Sequence, residues 1–183
     1  QFLGVDVVGK TLGIVGAGRI GARFARMAAG FDMQLLYASR RPSAPIDALG
    51  ARRVPLDDLL RHADFVSLHV PLTPETRHLI GARELALMKP HAVLINTARG
   101  AVIDEHALVA ALRDKTIFAA GLDVFENEPA LAPGLDALEN VVTLPHIGSA
   151  TTETRDTMAR LAAENLIAML KGERPATPVY GSL

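Results

Sequence analysis

Cysteine is absent from this 183-residue chain, and so is tryptophan. Without thiols there is no disulfide, no thiolate metal ligand and no cysteine nucleophile, and a reducing, cytoplasmic setting becomes the default expectation. Aromatic residues make up only 4%. The phenylalanines and methionines fall at core-like spacings, which argues against an aromatic platform for nucleobases or a flavin. Excess charge is missing too: 19 Lys and Arg against 20 Asp and Glu leave a formal −1, so no basic field draws nucleic acid. Apolar stretches are short and interrupted, and no segment is expected to span a bilayer. No secretory leader pattern opens the sequence. Histidine and carboxylate spacings offer no H-E-x-x-H or similar metal site, and none is expected. Repeats and low-complexity tracts are lacking as well. What remains is globular composition, 49% hydrophobic and 21% charged, in a length suited to one domain.

The most informative presence is Leu12-Gly-Ile-Val-Gly-Ala-Gly-Arg-Ile-Gly21, which sets Gly16, Gly18 and Gly21 in a G-x-G-x-x-G run. Lys10–Val15 before it is short, apolar and β-rich. Arg19–Gly30 after it places Ile20, Phe24, Met27 and Ala28 at helical spacing, with Ala22, Ala25 and Ala29 allowing close packing. Met33–Tyr37 reads as the next strand. Such a β–loop–α–β context turns the glycines into a dinucleotide signal, because they let backbone approach a pyrophosphate at a helix N-terminus. About twenty residues on, where an acid would accept the ribose 2′-hydroxyl, the chain reads Ser39-Arg40-Arg41. A hydroxyl and two guanidinium groups suit a 2′-phosphate, so NADP(H) is favoured over NAD(H).

Further strands are expected at Asp64–His69, Ala92–Asn96, Ile117–Asp123 and Asn140–Leu144. Arg41–Pro45 reads as a turn-rich loop. Short helices follow at Pro55–Arg61 and Ala82–Met88, and Asp104 can cap another that runs to about Arg113. Thr151–Leu170 is the longest helix, with Met158, Leu161, Ala162, Asn165, Leu166 and Met169 on one side. Gly172 and Pro175 end it. Apolar strands alternating with helices predict an α/β, doubly wound parallel sheet of the Rossmann type, with six strands in the order 3-2-1-4-5-6. Ligands of such sheets bind beyond the carboxyl ends of the strands, and Gly16, Ser39, Val70, Thr97, Asp123 and His146 all fall just past one.

Three strand-end segments carry chemistry: Asn96–Gly100, Asp123–Pro129 and Leu144–Thr151. Between them they offer a guanidinium, a carboxylate and an imidazole at one sheet edge. Reduction of a 2-oxo acid by a nicotinamide needs this set. A forked cation holds the substrate carboxylate, an imidazolium protonates the carbonyl oxygen, and an acid keeps the imidazole charged. Of six histidines, His146 follows the last strand and is the candidate proton donor. His62, His78, His91 and His106 fall on helices or polar loops and are expected to be solvated, and His69 is expected to pack or hydrogen-bond. Glu126 and Glu128 both lie in a loop, and periodicity does not choose between them.

Extended strings such as Val66–Ile80 and Leu87–Gly100 make the chain closely similar to the D-isomer-specific 2-hydroxyacid dehydrogenases, over almost all of residues 3–175. The resemblance implies that Arg99 binds substrate, that His146 donates the proton, and that Glu128, the glutamate directly before proline, is its partner. It implies cofactor contacts at Ala17, Gly18, Arg19, Ile20 and Gly21 for the pyrophosphate, at Val70, Pro71 and Thr76, at Thr97, Ala98 and Gly148, and at Asp123 near the nicotinamide carboxamide. Ser39-Arg40-Arg41 is like the NADP-preferring glyoxylate and hydroxypyruvate reductases. Other 2-hydroxyacid dehydrogenases, of D-3-phosphoglycerate or broad 2-ketoacid type, remain alternatives, as do the dinucleotide-sensing corepressors that share the family. The family also implies that residues 1–183 form the dinucleotide-binding domain of a longer polypeptide, that the substrate-binding domain lies outside this chain, and that a homodimer forms through this domain. Gln1–Gly9 and Thr73–Met88 are the expected contact segments.

Overall fold

Strand register does most of the work of placing the functional edge. The computed structural model describes residues 3–178. Its contacts divide into two units, Gln1–His146 and Ile147–Leu183. In the first, seven strands form one sheet: β1 (Thr11–Val15), β2 (Gln34–Ala38), β3 (Arg52–Arg53), β4 (Phe65–Leu68), β5 (Val93–Asn96), β6 (Ala119–Leu122) and β7 (Val141–Thr143). Every pairing is parallel, in the order β3-β2-β1-β4-β5-β6-β7. Val15 pairs with both Ala38 and Leu68, Leu68 with Asn96, Asn96 with Leu122, and Leu122 with Thr143. The strand ends are thus level, and the residues that follow them share one edge.

The predicted order is met with a seventh strand added. That strand, Arg52–Arg53, is two exposed arginines pairing with Leu36 and Tyr37. It carries no apolar alternation for a sequence pattern to register. The Asp64–His69 stretch is accordingly the fourth strand and lies beside β1.

Side-chain alternation divides the core. Leu12, Ile14, Leu35 and Tyr37 pack with Ala25 and Ala28 of α1 (Arg19–Ala28) and with Ile46 of α2 (Ala44–Asp47). Val15, Leu36, Val66, Leu68 and Leu94 pack on the other side with residues of α3 (Leu56–His62), α4 (Ala82–Leu87) and α5 (Glu105–Arg113). The short α2 lies where a turn-rich loop is predicted, and Pro45 sits in its first turn, where a missing N–H is harmless. In α1 the buried face is Gly21, Ala25 and Ala28, while Ile20 and Met27 are 72% and 70% exposed. Small residues win the inward face because they let helix and sheet backbones approach. Asp104 caps α5 as predicted, accepting from Ala107 N at 3.1 Å.

At the opposite sheet edge, Asp64 accepts from Thr11 N (2.8 Å), Lys89 Nζ (2.7 Å) and His91 Nε2 (3.0 Å), which ties the starts of β1, β4 and β5 together. Burial raises its pKa, but these hydrogen bonds outweigh burial and bring it down to about 2.

The second unit contains α6 (Thr152–Leu170), capped by the Thr151 hydroxyl, which accepts from Thr154 N at 3.2 Å. Asn165 holds the returning chain, donating to Thr177 Oγ1 at 2.6 Å and accepting from Thr177 N at 3.2 Å. No residue of α6 is buried, and Met158, Leu166 and Met169, grouped on one side of it, are solvent-exposed. Among the described residues no helix is long and apolar enough to cross a membrane.

Candidate functional site

The glycine turn after β1 is held where chain meets chain. Gly16 donates to Ala38 O at 2.9 Å, joining the ends of β1 and β2. Its φ is +101°, and an added Cβ would come within 2.7 Å of the His69 carbonyl. A Cβ on Gly21 would overlap Gly16 O, so this residue lets α1 seat under the turn. Gly18 is different. Its φ is −76° and nothing lies within 4 Å of its Cβ position, so the bare backbone there faces open space at the α1 N-cap. The first N–H groups of α1 have no intrahelical acceptor and no acid occupies the first turn, which leaves the helix end suited to an anion.

A cleft of about 1320 Å³ opens there. Gly16, Ala17 and Gly18 form one wall, Ser39, Arg40 and Arg41 a second, and Val70, Pro71 and Thr76 a third. These nine predicted cofactor residues are brought together. Arg19 and the exposed Ile20 follow on α1, and Gly21 is buried beneath the turn. Thr97 and Ala98 lie past β5, and the buried Asp123 past β6 donates its N–H to Asn96 O at 3.0 Å. None of these lines the cleft, and Gly148 belongs to the second unit. Two hydroxyls predicted to face ligand are engaged within the protein: Ser39 Oγ donates to Arg41 O, and Thr76 Oγ1 donates to Pro71 O at 2.6 Å. Sequence reading missed Arg53, which belongs to no motif, and Glu75, which lies within the Val66–Ile80 string but was assigned no role, on the walls. A glycine cradle that a Cβ would fill, an open helix N-terminus and three arginines in one cleft fit a dinucleotide.

The second group gathers at the next strand ends. Buried Asn96 shapes the turn after β5, accepting from Ala98 N and donating to Arg99 O, both at 3.0 Å. Arg99 is exposed there. At Gly100 an added Cβ would overlap the Phe125 carbonyl, so the turn and the loop after β6 are in backbone contact. The buried Glu105 accepts from Glu126 N at 2.7 Å, and burial above all raises its pKa. Glu128 accepts from Phe125 N through Oε1 at 3.1 Å and meets His146 Nδ1 through Oε2 at 2.8 Å. Its pKa is lowered, first by that histidine, then by the Phe125 N–H, and also by the positive charge of Arg99. The geometry separates the two glutamates. Glu126 instead binds His78 at 2.8 Å and Arg77 at 2.9 Å. His78 and His91 therefore have carboxylate partners rather than water alone. His69 lies against Phe24 (5.1 Å between centroids) and Ser67 Oγ (3.0 Å). A 320 Å³ pocket adjoins His146 and Glu128, walled by Phe125, Leu131 and Leu144. Among the described residues no His, Asp or Glu cluster is set to hold a metal ion.

The chain has known relatives. A family model for the NAD binding domain of D-isomer specific 2-hydroxyacid dehydrogenases matches residues 1–148. A glyoxylate reductase of Thermococcus litoralis is 57% identical over 177 residues, which are 96% of this chain and 53% of that protein. Among solved structures, the TT0316 protein of Thermus thermophilus has a TM-score of 0.90 at 50% identity, covering 97% of this chain and 56% of that one. An NADPH-dependent glyoxylate/hydroxypyruvate reductase of Sinorhizobium meliloti, solved in complex with NADP and malonate, has a TM-score of 0.88 at 40% identity over 93% and 53%. The chain spans about half the length of the curated relatives it matches.

Proposed function

Since the chain belongs to the D-isomer specific 2-hydroxyacid dehydrogenase family, through its NAD-binding domain, we propose that it is the dinucleotide-binding domain of an NADPH-dependent reductase. The substrate is a small 2-oxo acid, glyoxylate or hydroxypyruvate, and the product its D-2-hydroxy acid. One observation carries the reading: Glu128 meets His146 at 2.8 Å with the charge of Arg99 acting on the same carboxylate. A nicotinamide, when bound, supplies the hydride. Arg99 anchors the substrate carboxylate through its fork of N–H donors. Glu128, engaged with Nδ1, turns the ring so that Nε2 addresses the carbonyl oxygen. His146 gives that oxygen its proton as negative charge develops there. One hydride on carbon and one proton on oxygen complete the 2-hydroxy acid.

For the cofactor, Arg40 and Arg41 on the cleft wall support a 2′-phosphate and hence NADPH over NADH. Relatives about twice as long support a substrate-binding domain outside residues 1–183. We propose a homodimer as well. Leu3, Val5, Val7 and Val8 are exposed apolar residues that support a contact within the first nine positions, of which Gln1 and Phe2 lie outside the described residues.

Fluorescence titration with NADPH and NADH tests the cofactor reading. We expect NADPH to bind at least about tenfold tighter, roughly 1.4 kcal/mol, and Arg40→Asp to reverse the order. Equal affinities would overturn it.

A further inference from the structure

Arg53 lines the cofactor cleft yet belongs to no motif. It sits on the two-residue β3, paired with Tyr37 near the end of β2. Its guanidinium reaches back to the turn that follows β2. Nε and Nη2 donate to Ser39 O at 3.1 and 3.0 Å, and Nη2 also donates to Arg40 O at 2.9 Å. The next carbonyl, Arg41 O, takes the Ser39 hydroxyl. Three successive carbonyl oxygens are therefore each covered by a donor. Slightly further on, Ser43 N donates to the buried Tyr37 hydroxyl at 3.1 Å, which donates to Asp47 at 2.6 Å, so the chain is pinned beyond the turn as well.

Carbonyl oxygens carry partial negative charge, and three unengaged ones on residues that line a cleft would disfavour an anion there. With those oxygens engaged, the Arg40 and Arg41 side chains set the charge of that wall. The cleft needs that bias, because Glu75 lines it too and its carboxylate feels Arg40. A lysine could not substitute simply. Two neighbouring carbonyls want two donors in a fixed fork, which a point ammonium does not supply.

We infer that Arg53 is a specificity-determining residue for NADPH over NADH, acting by bracing the Ser39–Arg41 turn as a receptor for the ribose 2′-phosphate. This rests on the NADPH reading above. It adds a residue that touches the turn and sets how the turn receives phosphate.

The test is titration of the chain with four ligands: NADPH, NADH, adenosine 2′,5′-bisphosphate and 5′-AMP. In R53L the two 2′-phosphorylated ligands should weaken about tenfold and the other two less than about twofold, the scale of one charge-assisted hydrogen bond lost. R53K should behave like R53L. Arg53 is exposed, so the melting temperature should stay within a few degrees of wild type. Equal weakening of all four ligands would mean general damage to the cleft and overturn the inference. Full recovery by R53K would assign the effect to charge alone and overturn the bracing. A wild-type preference for NADPH that survives R53L removes Arg53 while leaving the cofactor reading intact. A wild-type chain with no such preference removes both.

Discussion

Burial fixes the charge state of one histidine on the cleft wall. His69 lines the cleft, and burial pushes its pKa down to about 4 from an ordinary 6.5. The unfolded chain therefore takes up a proton near pH 6.5 that the folded chain refuses until about pH 4. Stability from this group is complete above pH 6.5 and is lost as pH falls toward 4, by no more than about 3 kcal/mol. Urea unfolding at pH 7 and pH 5 should show the decline in wild type and a flatter profile in His69→Gln. An unchanged slope would mean that His69 titrates like a solvated histidine. Glu128 has the opposite bias. His146 above all, with the Phe125 N–H and Arg99, keeps it ionised below the usual carboxylate range. Glu128→Gln keeps the shape and removes the charge. In the full-length protein it should lower kcat by about 10²–10⁴, the span of general acid catalysis, with NADPH affinity unchanged. A parallel loss of cofactor binding would show that Glu128 supports the cleft rather than the proton transfer.

At the level of elements, the glycine turn separates two kinds of constraint. Gly21→Ala drives a Cβ into Gly16 O, so α1 must shift. Both stability, by about 1–3 kcal/mol, and dinucleotide binding should fall. Gly18→Ala meets no protein atom and needs no unusual φ, so stability should change by less than about 1 kcal/mol. Binding should still weaken about tenfold, because the methyl occupies the space a pyrophosphate would approach. If Gly18→Ala binds normally, the open face at the helix N-cap is not the phosphate site. The same unit marks how far sequence alone reaches. Its strand, turn and helix were legible because apolar period and glycine spacing are local signals. Which face of α1 turns inward was not. Helical spacing grouped Ile20, Phe24, Met27 and Ala28, with Ala22, Ala25 and Ala29 as close-packing residues, and of these only Ala25 and Ala28 join Gly21 on the buried face. The arginine pair of β3 was invisible for want of any apolar pattern. Arg53 to Ser39 and Glu126 to Arg77 and His78 join residues 14, 49 and 48 positions apart, and no local periodicity encodes such contacts. Arg99, Glu128 and His146 were legible only through their strand-end positions together with a family pattern.

For the whole molecule, binding and turnover make different demands on chain length. The cleft proposed for the dinucleotide is walled entirely by residues between Val15 and Leu79, so cofactor affinity should be a property of this chain. Saturating NADPH at about a hundredfold its Kd should stabilise the fold by roughly 2.7 kcal/mol, a melting shift of about 5–10 °C for a chain this size, and Gly21→Ala should abolish the shift. Turnover asks for more. Arg99, Glu128 and His146 are all exposed or half-exposed, and on the proposed reading a second wall, carried elsewhere in a polypeptide of the relatives' length, orients the 2-oxo acid and excludes water. Orientation and water exclusion account for a large share of enzymatic rate. The 183 residues alone should therefore show the thermal shift with NADPH while reducing hydroxypyruvate or glyoxylate at least about a hundredfold more slowly than the full-length protein. Equal rates would place the whole substrate site within these residues. The missing wall would then have no part in the chemistry.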